Sequence, residues 1–115
     1  MKYLLLIHTG PDVRDRYDSL GADGQRQILG EYLALSEEPG VLGANQLHPA
    51  DTATTVRVED GRTLTTDGPF IEAKEALGGY YLYEAENLDA AIALAARIPA
   101  ARMGGAVEVR PVVER

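Results

Sequence analysis

From Thr66 to Tyr81 the chain reads Thr-Asp-Gly-Pro-Phe-Ile-Glu-Ala-Lys-Glu-Ala-Leu-Gly-Gly-Tyr-Tyr, with three carboxylates and one lysine beside a double glycine. Those residue types suit proton transfer. A carboxylate held against an apolar wall gains a raised pKa and can act as a general acid or base, and Asp67 is the candidate carboxylate. Lys74 and Glu75 offer charges for a ligand's polar groups, and Gly79 lets a ligand approach the backbone closely. Tyr81 and Tyr83 alternate with Tyr80, share one strand face and could stack on an aromatic ligand. His8 is the second acid–base candidate beside Asp67, because histidine is the side-chain type suited to proton transfer at physiological pH. Arg110 could bind a ligand carboxylate, or pair only with Glu108 on the same strand face.

Several of these residues also have a purely structural explanation. Asp67 can accept hydrogen bonds from the backbone N–H groups that follow it, and Pro69 fits a first helical position. A short helix would then bury Phe70 and Leu77 and end at Gly78, leaving Glu72 and Glu75 facing water. His8 could be an inert histidine at a strand end, and His48 sits in a Leu-His-Pro loop. Metal binding needs three or four converging ligands. The chain's two histidines lie far apart and it has no cysteine, so no metal site and no cofactor is expected. Phosphate loops, nucleophile elbows and dinucleotide fingerprints are missing from the sequence.

The elements that must position these groups follow from patterning. Tyr3–His8 is a continuous apolar run, read as a strand with Leu4 and Leu6 on one face and Tyr3, Leu5 and Ile7 on the other. The polar segment up to Gly24 is read as a loop with a helical turn. Gln25–Glu38 carries Ile28, Leu29, Tyr32, Leu33 and Leu35 at helical spacing. A second strand over Val41–Leu47 follows. Thr54–Glu59 and Arg62–Thr66 flank Asp60-Gly61, a strong hairpin signal. After a strand at Tyr80–Glu84, Asn87 is read as the N-cap of a helix that buries Leu88, Ala91, Ile92 and Ala95 and stops at Pro99. Ala106–Val113 closes the pattern as a strand.

Without the hairpin the order is βαββαβ, an α+β ferredoxin-like arrangement with both helices on one sheet face. The first strand is apolar on its other face too, so a second copy of the sheet is expected to cover it, giving a homodimer.

The size of 115 residues and the net charge of −7 fit one soluble domain and disfavour duplex nucleic acid or anionic membrane as partners. No stretch is long and apolar enough to span a bilayer, and the run after Lys2 is too short for a secretion signal. The expected location is the cytoplasm.

Ala53-Thr54-Thr55-Val56-Arg57-Val58, Asp60-Gly61, Thr66-Asp67-Gly68-Pro69-Phe70, Glu72, Lys74-Glu75 and Leu77-Gly78-Gly79-Tyr80-Tyr81 together resemble the YCII-related family, in its DGPF-domain branch. Met1–Ile7 and Val107–Pro111 match as well, so the resemblance covers essentially the whole chain. It implies a dimeric α+β barrel. Some members are similar to a dehydrochlorinase acting on a chlorinated aromatic, and others accompany extracytoplasmic-function sigma factors. Better-described relatives use a His-Asp pair with its histidine on the first helix. Gln25–Glu38 holds no histidine, so that mechanism does not carry over.

Two functions remain open at this point. One is a small cofactor-free enzyme or ligand-binding dimer, with a pocket between helix and sheet, performing proton transfer, elimination or isomerisation on a small aromatic metabolite. The other is a non-catalytic sensor or accessory module acting with a sigma factor.

Overall fold

The computed structural model describes residues 1–70 and 75–115. Among the described residues there are six strands, β1 (Lys2–Thr9), β2 (Val41–Gln46), β3 (Thr54–Glu59), β4 (Arg62–Asp67), β5 (Ala76–Glu84) and β6 (Ala106–Pro111), and four α-helices, α1 (Pro11–Ser19), α2 (Ala22–Ser36), α3 (Leu88–Ala96) and α4 (Pro99–Arg102). A 3-10 turn at Ala50–Thr52 links β2 to β3.

The main sheet has the order β2-β5-β1-β6, and every neighbouring pair is antiparallel. This α+β arrangement is consistent with a ferredoxin-like fold. The apolar run in β1 explains its central place, because a strand with oily side chains on both faces is least costly when flanked on both edges. Tyr3, Leu5 and Ile7 are buried beneath the helices, whereas Leu4, Leu6 and His8 are only half-buried on the opposite face. Register extends both sets across the sheet. Leu5 faces Tyr81 and Val109, while Leu4 faces Leu82 and Arg110, and Leu6 faces Tyr80 and Glu108.

The core joins Tyr3, Leu5 and Ile7 to Leu35 of α2, Ala91, Leu94 and Ala95 of α3, and Ile98 and Ala100 beyond it. Asn87 caps α3 as expected: its side-chain oxygen accepts from the Ala90 N–H at 2.9 Å. The buried stripe is rotated from the expected one, since Leu88 and Ile92 are 49% and 48% exposed. Ala91, Leu94 and Ala95, at i, i+3 and i+4, form the buried stripe of α3, and Ile98 beyond the helix end is fully buried as well.

The polar segment after β1 is a full helix. Pro11 opens α1 at its first turn, and Val13 and Tyr17, one turn apart, are its less exposed residues. The expected helix over Phe70–Leu77 is not what forms at its two ends. Phe70 is 64% exposed, and the Arg57 guanidinium sits over its ring at 4.6 Å. Leu77 and Gly78 belong to β5, paired against the end of β1 across a bulge at Ile7/His8. An available antiparallel partner outweighs local helical spacing there. Ile71, Glu72, Ala73 and Lys74 lie outside the described residues.

β3 and β4 pair with each other in a separate two-stranded ladder. Asp60 and Gly61 both have positive φ, 50° and 73°, the left-handed pair that a two-residue type I′ turn requires. Nearly every residue of the ladder is exposed. The radius of gyration, 16.0 Å, exceeds the ~13 Å of a compact chain this long, because the ladder stands away from the sheet. Among the described residues, no helix is long and apolar enough to cross a membrane.

Candidate functional site

A groove of about 900 Å³ opens where α1 and α2 meet the β2–β5–β1 end of the sheet. That volume lies within the range of small-molecule sites. Ile28, Tyr32 and Leu33 come from α2, Val13, Arg14 and Tyr17 from α1, and Gly78, Gly79 and Tyr81 from β5. The wall is thus mainly aliphatic and aromatic, with a few polar groups among them. Gly79 fits a close approach of two strands: a Cβ there would lie 2.9 Å from the Asn45 carbonyl oxygen. That approach also leaves bare backbone facing the groove.

Tyr81 is buried, and its hydroxyl donates to the Tyr32 carbonyl at 2.8 Å, tying β5 to α2 across the groove floor. Burial, reinforced by Tyr32 nearby, pushes the Tyr81 phenol up to about 12. Burial also raises Tyr32, partly offset by a backbone hydrogen bond at Ala100. A raised folded pKa means that the stability contribution of Tyr81 is complete below the unfolded value near 10 and is lost as pH rises towards 12. Stability should therefore fall by up to about 1.4 kcal/mol per pH unit in that window. Tyr81→Phe should lose about 0.5–1.5 kcal/mol at neutral pH and show a shallower alkaline decline. Urea melts at neutral pH and above pH 10 read both effects, and an unchanged alkaline slope would contradict them.

A second cluster occupies the sheet face away from the helices. His8 Nε2 lies 3.3 Å from Glu108 Oε1, and Arg110 Nε donates to Glu108 Oε2 at 2.8 Å. The hydrogen bond from Arg110, then that from His8, holds the Glu108 carboxyl below its ordinary range. The carboxylate therefore stays ionised and orients the imidazole, an arrangement suited to moving a proton. Leu4, Leu6, Tyr80 and Leu82 surround this array on the same face. The register partner of His8 on β5 is Leu77, which lines the groove, whereas His8, Glu108 and Arg110 themselves are not among its lining residues.

Residues 1–115 match the model of the YCII-related domain. The chain belongs to the YCII-related family. Its Asp67-Gly68-Pro69-Phe70 segment is consistent with the DGPF branch. An uncharacterized protein of Rhizobium meliloti (strain 1021) is 42% identical to this YCII-related chain over 77 residues. The match takes in 65% of the chain and spans 62% of that relative's own length.

Within this YCII-related fold the expected site residues fall in three places. Gly79 and Tyr81 line the groove. His8 and Arg110 meet through Glu108 on the uncovered face. Asp67 ends β4 opposite Thr54, in a different sheet from His8, and is exposed. Glu75 is exposed just before β5, and Lys74 lies outside the described residues. His48 is an exposed loop residue on the groove's rim.

Sequence reasoning did not single out Arg14. The signal available was Val13 and Tyr17 at i, i+4 behind Pro11, which defines a helix and the face beside which Arg14 projects. Glu108 had been considered only as a partner for Arg110. Its bond to His8 depends on strand register across a separation of 100 residues.

Proposed function

We propose that this YCII-related chain is a cytoplasmic, cofactor-free homodimer that binds a small, flat metabolite in the groove between α1, α2 and the sheet. The groove itself carries the reading, because it combines volume, an aromatic lining and the side-chain-free positions Gly78 and Gly79 at one place. The His8–Glu108–Arg110 array lies on the opposite sheet face, outside the groove lining, so in this reading the groove binds the ligand and the array faces the second copy. Asp67 acts as a structural residue of the β3–β4 arm in this account. The half-buried leucines on the other sheet face support self-association, since a contiguous apolar face of this kind calls for a cover. The β3–β4 arm, an insertion in the βαββαβ order, is free to reach a second copy.

Chemical-shift mapping with naphthamide, a flat neutral probe, tests the site. Perturbations should gather at Ile28, Tyr32, Gly78, Gly79 and Tyr81. Shifts confined to β3 and β4, or none at millimolar probe, would remove the groove from consideration.

A further inference from the structure

We infer that the groove ligand is an aromatic carboxylate, anchored through its carboxylate by Arg14; this inference rests on the groove being the binding site. Arg14 projects from α1 into the groove lining and is its sole lysine or arginine among the described residues. The chain is acidic, with 18 carboxylate side chains against 11 basic ones, and its other structured arginines are mostly engaged. Arg97 pairs with Glu38, Arg102 with Glu31, Arg110 with Glu108 and Arg26 with Asp23. Arg14 has no ion-pair partner among the described residues, and Asp51, which also lines the groove, does not reach it.

A guanidinium left unpaired in so acidic a molecule, at the rim of an apolar groove, matches a planar two-oxygen anion. Its fork geometry accepts a carboxylate bidentately, and the apolar wall lowers the local dielectric around the pair. The remaining lining fixes the rest of the ligand. Tyr17, Tyr32 and Tyr81 present aromatic surface, while Ile28, Leu29 and Leu33 present aliphatic surface. Such walls favour a flat hydrocarbon ring system over a sugar or a polyamine. Asp51 repels an anion, so the carboxylate belongs at the α1 side of the groove.

Naphthoate and its neutral isostere naphthamide separate charge from shape. The wild-type protein should bind naphthoate roughly tenfold or more tightly than naphthamide, measured by calorimetry at low salt. Arg14→Gln should abolish that difference without lowering the melting temperature, because the residue is exposed on the helix. Arg14→Lys, which keeps the charge but not the fork, should restore part of the preference. Equal affinity of the two probes for the wild-type protein, or a preference that survives Arg14→Gln, would overturn the carboxylate inference while leaving the groove as a site. Failure of both probes to bind would overturn the groove reading, and this inference with it.

Discussion

Leu5→Ala is expected to cost about 2–5 kcal/mol of folding stability. Leu5 is 0% exposed at the middle of β1, the strand bonded on both edges. On the helix-covered face its register neighbours are Tyr81 of β5 and Val109 of β6, and the small residues Ala91 and Ala95 of α3 belong to the same cluster. Truncation removes apolar contact where the surroundings are least able to collapse, since two flanking strands and a helix layer fix the walls. A domain of this size has about 5–15 kcal/mol in total, so the variant should melt far below the wild type or fail to accumulate. Leu4→Ala, one residue away but half-buried on the uncovered face, should cost clearly less in the monomer's own stability. Equal losses at the two positions would contradict the assignment of β1's faces.

The second large effect concerns assembly. Leu6 lies on the uncovered face between Leu4 and His8, opposite Tyr80 and Glu108. A second copy seated there would enclose it, and an unpaired charge in an apolar interface costs several kcal/mol. Leu6→Glu should therefore weaken dimerisation by roughly 100-fold or more and yield a monomer that keeps wild-type circular dichroism. Sedimentation equilibrium across a concentration series reads the change. A wild-type protein that sediments as a monomer, or a Leu6→Glu variant that stays dimeric, would contradict pairing through this face.

What the sequence disclosed was whatever its local chemistry determines. The two faces of β1 were legible because alternation over Tyr3–His8 leaves only one way to divide the side chains. The Asn87 cap and the Asp60-Gly61 turn were legible for the same reason, as each depends on a residue's own hydrogen bonding or backbone freedom. Elements decided by distant partners were misjudged. Leu77 and Gly78 look like a helix end in isolation, yet β1 captures them as strand. Leu88 and Ile92 fit an inward stripe in isolation, yet tertiary packing buries Ala91, Leu94 and Ala95 instead. The site followed the same division. Gly79 and Tyr81 stood out by type, whereas the His8–Glu108 bond requires β6 to return beside β1 in one particular register.

Whether the groove between the helices and the sheet holds the ligand can be tested by blocking it. The chain contains no cysteine, so one introduced thiol can be modified uniquely. Leu33 lines the groove and is 68% exposed, while Val113, at 71%, lies near the C-terminus and outside the lining. Naphthoate affinity would be measured by calorimetry for Leu33→Cys and Val113→Cys, each before and after attachment of a bulky maleimide. The account predicts that binding disappears only for labelled Leu33→Cys. Unchanged affinity in that labelled protein, or equal loss in both, would contradict it.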